Sequence, residues 1–175
     1  MSILEWFRSL AAPGAPVHGD TETVRRIVAQ LDALEPQRAR YLAAFAYVLG
    51  RVANADLDIS DVETTRMIDL VQSVGHLPEE QAILVVTIAK SQNRLFGGTE
   101  NFLVTREFRA IASDDERRGL LDCLFSVAGA DDAISGAEDA QIWQIAGELG
   151  FTHDEFVQVR LRYSDKRTVF SRDKA

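Results

Sequence analysis

The chain has 175 residues, enough for one ordinary domain, of which 46% are apolar and 26% charged. A net charge of −8 argues against a nucleic-acid partner, because binding to phosphates depends on surplus lysine and arginine. Cys123, the one cysteine, excludes a disulfide framework and is predicted to be a small core residue. No stretch approaches the roughly 18 apolar residues of a membrane span. We therefore expect a soluble cytoplasmic protein.

Residues 1–16 are predicted to form a short amphipathic segment followed by a Pro/Gly linker. Glu5 and Arg8 interrupt the apolar stretch, which argues against a secretory signal. We expect a helix only weakly tied to the body, because the linker provides little restraint. Trp6 and Phe7 then have three candidate docking sites: the body itself, a partner protein or a membrane surface.

Residues 17–165 are predicted to form one helical body, followed by a tail at 166–175. Apolar residues recur at three- and four-residue steps from Asp20 to Leu34, which is typical of one face of a helix. Pro36 is expected to open a second helix at its tolerated first position, and Pro78 precedes another. Strand alternation is nearly absent, so the expected fold is all-α, a compact bundle of seven to eight helices.

Helix starts are marked by one recurring device, a Ser or Thr followed three residues later by Glu. In such a capping box each side chain binds an otherwise unpaired backbone N–H. The pairs are Ser60/Glu63, Ser113/Glu116, Ser135/Glu138 and Thr152/Glu155. Gly75 and Gly150 are predicted to close helices in the left-handed conformation.

An internal repeat is the strongest organisational signal. An offset of 75 positions aligns Leu49–Glu80 with Leu124–Glu155, and ten of the 32 aligned positions are identical. The identities concentrate at a turn and at helix ends, which indicates repeated backbone geometry. We expect two helix–acidic turn–helix units that superpose and share one core.

The repeated turns are rich in carboxylates. The first carries Asp56, Asp58 and Glu63, and its counterpart carries Asp131, Asp132 and Glu138. Oxygen clusters of this kind suit hard cations such as Ca²⁺ and Mg²⁺, although neither turn has the spacing of an EF-hand loop. The alternative is that the glutamates only cap helices and the aspartates are solvated. The residues alone leave both interpretations open.

The turns resemble those of the TerB-like family, named for a tellurite-resistance protein. The family pattern Ala-Asp-Gly-x-Ile/Val-Ser-x-x-Glu is matched by 55–63 and 130–138, except that Leu57 and Asp132 replace its glycine. The region 101–163 is similar to an uncharacterised bacterial branch of the family through Glu116-Arg117-Arg118 and His153-Asp154-Glu155-Phe156. The resemblance implies a helical fold and an association with tellurite and other stress resistance.

The resemblance also implies a divalent-metal site, carried by Asp56 and Glu63 in the first turn and by Asp131 and Glu138 in the second. Asp58 and Asp132 are additional carboxylates of this sequence. Since a hard cation needs many oxygens, we expect the first turn to be the better cation site. Asp132 tolerates a left-handed backbone better than Leu57 does.

No catalytic constellation is recognisable, because the histidines are scattered and no zinc or phosphate-loop motif exists. We therefore expect a non-enzymatic interaction or scaffold module whose partner is another protein. The second hypothesis is a cation-binding or sensing protein, with Ca²⁺ or Mg²⁺ as its only candidate cofactor. Trp143 is expected to be a core residue.

Overall fold

The computed structural model describes residues 2–12, 21–53, 60–95 and 101–166, which contain nine α-helices and no β-strand. In chain order they are α1 (Ile3–Ala11), α2 (Thr21–Asp32), α3 (Pro36–Ala53), α4 (Asp61–Ser73), α5 (Glu79–Leu95), α6 (Asn101–Ile111), α7 (Asp114–Ala128), α8 (Gly136–Leu149) and α9 (His153–Leu161). Two 3₁₀ helices, Gly129–Asp131 and Ser164–Lys166, complete them. The predicted all-α class is confirmed, and eight of these helices lie in the expected body. No helix in this described part is long and apolar enough to cross a membrane.

All four predicted capping boxes are formed. At the starts of α4, α7, α8 and α9 the cap residue is extended, its hydroxyl accepts from the glutamate N–H, and the glutamate accepts from the cap N–H. A fifth box, Ser2/Glu5, starts α1 and was not predicted. Local sequence therefore fixes where these helices begin.

Helix α3 lies at the centre of the molecule. Every residue from Tyr41 to Gly50 is buried, so α3 has no solvent-facing side along this stretch. It packs against α5, α6 and α7, with smaller contacts to α1, α2 and α8. A surface helix buries one apolar stripe, whereas a helix surrounded by neighbours on all sides buries every face.

Small residues make this central position possible. Ala43, Ala44 and Ala46 are completely buried, and side chains of this size let neighbouring helices approach closely. Larger rings fill the remaining space: the centroids of Tyr41 and Phe108 lie 5.3 Å apart. Alternation of small and large residues gives α3 close contacts with several helices at once.

The expectation that the N-terminal segment is weakly tied was wrong. It is helical as predicted, but Phe7 is only 1% exposed and belongs to the core. The Ile3 N–H donates to Glu107 Oε2 at 3.0 Å, and Arg8 Nη2 lies 2.6 Å from Asp32 Oδ1. The physical reason is that the apolar face of α1 finds a complementary surface on α2 and α3.

The two predicted glycine helix ends behave differently. Gly150 has φ = 88° and closes α8 in the left-handed conformation, as expected. After α4 the left-handed residue is His76, with φ = 55°, so the prediction for Gly75 was wrong. Gly75 is needed for space instead: a Cβ there would lie 2.6 Å from the Val71 carbonyl oxygen and 2.9 Å from Cys123 Sγ.

The starts of α4 and α8 agree with the internal repeat of the sequence. Asp61 begins α4 and Gly136 begins α8, two positions that the 75-residue offset pairs, and each follows a capping serine. The caps of the next helices do not correspond, because Pro78 precedes α5 where α9 has its own box. That the two halves superpose stays a prediction.

Two glycine substitutions test the packing argument. Gly75→Ala should lower the free energy of unfolding by about 1–3 kcal/mol, because its methyl group meets backbone and a buried sulfur. Gly147→Ala should raise it by about 0.5–1 kcal/mol, because this helical glycine has open space around it and alanine restricts the unfolded chain. Urea unfolding of both variants beside the parent measures the two effects. Equal stabilities for all three proteins would contradict the packing at Gly75.

Candidate functional site

The glutamates of both acidic turns are used as helix caps. The Ser60 N–H donates to Glu63 Oε2 at 2.6 Å, and the Ser135 N–H donates to Glu138 Oε2 at 2.8 Å. In return each serine Oγ accepts from the glutamate N–H at 3.2 Å. Hydrogen bonds from the Ser60 side chain and backbone hold the pKa of Glu63 below its ordinary value. Both carboxylates are therefore already engaged by the start of their own helix.

The second acidic turn is a tight reversal between α7 and α8. After α7 the chain makes the 3₁₀ helix Gly129–Asp131, and Asp132 then adopts the left-handed conformation with φ = 63°. The Asp132 N–H donates to the Gly129 carbonyl at 3.1 Å, and Ile134 is 1% exposed. The tolerance of aspartate for positive φ, expected from the sequence, is used here.

A C-terminal segment lies against this turn. We call residues 162–166 the strap. The Ile134 N–H donates to the Lys166 carbonyl at 2.6 Å, and Lys166 Nζ donates to the Gly129 carbonyl at 3.2 Å. The same ammonium lies 3.8 Å from Asp132 Oδ1, whose side chain is 89% exposed. Lys166, placed by the sequence at the start of a tail, thus contacts the second turn.

The predicted metal ligands are only partly described by the structure. Asp56 and Asp58 lie outside the described residues, as does the side chain of Asp131. Within the described ranges, no three or more His, Cys, Asp or Glu side chains are grouped so that they hold a metal ion. The ligand set therefore stays a prediction, with Glu63 and Glu138 in capping roles.

A buried ion pair, which the sequence did not predict, joins α3 to α8. Arg51 Nη1 lies 2.5 Å from Glu148 Oε2, and the two side chains are 4% and 9% exposed. Arg51 also donates to Thr105 Oγ1 at 2.6 Å, and Gln144 donates to Glu148 at 3.1 Å. Gln141 Nε2 donates to the Arg51 carbonyl near the end of α3. The partners are 97 positions apart, so no local pattern could have shown them.

Charge compensation is good at one end of this pair and poorer at the other. Burial raises the pKa of Glu148, but the hydrogen bonds and charge of Arg51, with help from Gln144 and Thr105, outweigh it and lower the pKa below its ordinary value. On the arginine, Nε is buried with no hydrogen-bond partner among the described residues. Removing either member would leave a buried charge without compensation.

Trp143 is on the surface, so the expectation that it is a core residue was wrong. It is 42% exposed, and its ring contacts His153 and Phe156 with centroid distances of 5.3 and 4.7 Å. The buried stripe of α8 is formed by Ile142, Ile145, Ala146 and Leu149. Position 143 lies about 100° around the helix from 142, which turns the indole toward α9 and solvent.

A shallow pocket lies where α7, α8 and α9 meet, but its charges are already paired. It is lined by Asp114, Arg117, Arg118, Gly150, Phe151 and Glu155. Arg117 pairs with Asp114 and donates to the Leu149 carbonyl at 2.8 Å. Arg118 lies 3.5 Å from Glu155. The arginines therefore serve the end of α8 and neighbouring carboxylates.

Comparison with known proteins gives one match. The family model described as "Tellurite resistance protein TerB" matches residues 41–161. No curated protein and no solved structure matches. The matched range begins in α3 and ends with α9, so it contains both acidic turns, the buried ion pair and Trp143.

Acid titration tests the buried ion pair. Glu148→Gln should lower the free energy of unfolding at pH 7 by about 3–5 kcal/mol, because it leaves the Arg51 charge buried and uncompensated. Since the folded pKa of Glu148 is depressed, its contribution is present above the ordinary value of 4.5 and is lost as pH falls through the folded pKa. The difference between parent and variant should shrink over that window in urea unfolding. A difference that stays constant down to acid pH would contradict the pairing.

Proposed function

Because the chain belongs to the TerB family, we propose that it is a non-enzymatic stress-response module that binds another protein, in a setting associated with tellurite resistance. The observation that carries this proposal is the exposure of Trp143 on the α8–α9 surface. Tryptophan contributes strongly to protein interfaces, because a rigid indole buries a large area when a partner covers it.

The surroundings of Trp143 support this assignment. Gly147 lies one helical turn further along α8, where helix geometry places it on the same face as the indole. Nothing lies within 4 Å of the position of a Cβ at Gly147, so internal packing does not require glycine there. A glycine that costs helix stability and borders an exposed tryptophan leaves room for a partner to approach the backbone closely.

Partner binding is tested by variants of this face in the tagged full chain, purified from cells that express it naturally. Trp143→Ala should lose the partner, because the central contact area is removed. Gly147→Lys should lose it as well, because a bulky charge stands beside the indole while the fold keeps its packing. Leu161→Ala, on another exposed apolar residue, and Gly147→Ala are the matched controls and should retain it. Quantitative mass spectrometry of the bound proteins measures the losses.

Thermal melting separates loss of binding from loss of fold. All four variants should unfold cooperatively, and Gly147→Lys should melt close to the parent. An identical set of bound proteins for the parent, Trp143→Ala and Gly147→Lys would contradict binding through this face. Loss of the partner in Leu161→Ala alone would place the interface elsewhere.

The second candidate function is binding or sensing of a divalent cation at the acidic turns. It is favoured by the carboxylates of 56–63 and by the family resemblance of both turns. We expect the first turn to be the stronger site, because Lys166 already places an ammonium beside Asp132 in the second. An interaction module of this kind gains cation-dependent stability when the cation binds only the folded state.

A melting series tests the cation hypothesis. In millimolar Ca²⁺ or Mg²⁺ the parent midpoint should rise with the logarithm of cation concentration above the dissociation constant. The rise should be lost in Asp56→Asn, which removes a ligand, and kept in Asp131→Asn. A parent midpoint that moves with neither cation would end the cation hypothesis. A rise lost only in Asp131→Asn would assign the site to the second turn.

A further inference from the structure

The second acidic turn is held by a positively charged group of the chain itself. Lys166 Nζ donates to the Gly129 carbonyl at 3.2 Å and lies 3.8 Å from Asp132 Oδ1. One backbone oxygen and one carboxylate of the turn thus face a single ammonium. Hydrogen bonds from charged donors are stronger than those between neutral groups, so this contact helps to hold the strap against the turn.

Glycine at 129 makes room for the lysine. A Cβ on Gly129 would lie 2.9 Å from Cδ of Lys166, closer than such atoms approach in proteins. The backbone of Gly129 has φ = −86°, which other residues adopt without strain. A methyl group at this position would therefore push the lysine stem aside, while the turn conformation itself does not require glycine.

The rest of the strap is anchored to α7. The ring of Tyr163 stacks on Phe125 with a centroid distance of 5.2 Å. The Tyr163 hydroxyl contacts Ser126 Oγ at 3.0 Å and donates to the Asp122 carbonyl at 3.1 Å. Arg162 Nη2 lies 3.0 Å from Asp122 Oδ1. The strap is therefore anchored on α7 through Arg162 and Tyr163, and it contacts the second turn through Lys166.

We propose that the strap is a latch, shut by Lys166, which acts as an internal cation for the second acidic turn. While the latch is shut, the Gly129 carbonyl and the Asp132 carboxylate are engaged by the chain, and the Lys166 carbonyl holds the Ile134 N–H. When the ammonium leaves, the strap pivots on Tyr163, and the carbonyl and carboxylate of the turn become free. Opening the latch therefore removes the ammonium from the Gly129 carbonyl and from beside the exposed Asp132 carboxylate.

The first turn offers an internal comparison. Lys90 Nζ donates to Thr64 Oγ1 at 2.7 Å, and its charge contributes to the lowered pKa of Glu63. This lysine therefore binds the first turn of α4, whereas Lys166 binds the backbone of the second acidic turn. Lys90→Met removes a lysine of the same kind beside the other repeat and serves as the matched control.

Hydrogen exchange at the Ile134 amide reads the latch directly, because its acceptor is the Lys166 carbonyl. Lys166→Met keeps the stem and removes the ammonium. It should speed exchange at Ile134 by about tenfold or more relative to the Phe151 amide, since a hydrogen bond from a charged donor contributes stability of that order. Gly129→Ala should also speed it, because the methyl group displaces the stem without changing any charge. Lys90→Met should leave it unchanged.

The outcomes are separable. Faster exchange at Ile134 in Lys166→Met and Gly129→Ala, with the Phe151 amide unchanged, supports a local latch. Exchange at Ile134 in Lys166→Met that equals the rate in Lys90→Met overturns it. Faster exchange at Ile134 and Phe151 together, by the same factor, also overturns it, because that result reports global destabilisation. The experiment uses the full chain and needs neither a bound partner nor an added cation, so its failure leaves the proposed function untouched.

Discussion

The arrangement of the molecule depends on burying α3 on every side. A helix in this position has no solvent-facing stripe, so its neighbours must supply all its contacts and must approach from several directions. Small residues at Ala43, Ala44 and Ala46 allow that approach. The same requirement explains why α1 docks, because α3 would otherwise expose apolar surface on the side that α1 covers. The ion pair between Arg51 and Glu148 is a further result, since a long side chain leaving the end of a buried helix must find its partner inside the protein.

Sequence reasoning succeeded where structure is decided by residues close together in the chain. The four serine or threonine boxes were predicted correctly because cap and glutamate are three positions apart and the hydrogen bonds need nothing else. Pro36 at the start of α3 has the same origin, since its fixed φ and missing N–H suit the first turn of a helix. The family resemblance was confirmed by the match over residues 41–161.

Sequence reasoning failed where the role of a residue is decided by a distant part of the chain. Gly75 looked like a left-handed helix end, but its lack of a side chain serves the contact with Cys123, nearly fifty positions away. Trp143 was assigned to the core from its apolar area, although the stripe through Ile142 and Leu149 already filled the buried face of α8. Phe7 could not be placed, because nothing within residues 1–16 reveals the groove that accepts it. For the candidate site, the carboxylates were visible in the sequence and the lysine that approaches the second turn was not.

The contact between Gly75 and Cys123 has a practical consequence for measuring motion. Burial, aided by the nearby Asp122 carboxylate, raises the pKa of this thiol to about 12, so the reactive thiolate is scarce in the closed protein. An alkylating reagent reaches the sulfur only when the packing around α4 and α7 opens. Because the chain has a single cysteine, all of the modification occurs at Cys123, and its rate measures how often this packing opens. Cys123 is therefore a native chemical probe of the contact between α7 and the end of α4, and no label has to be engineered to use it.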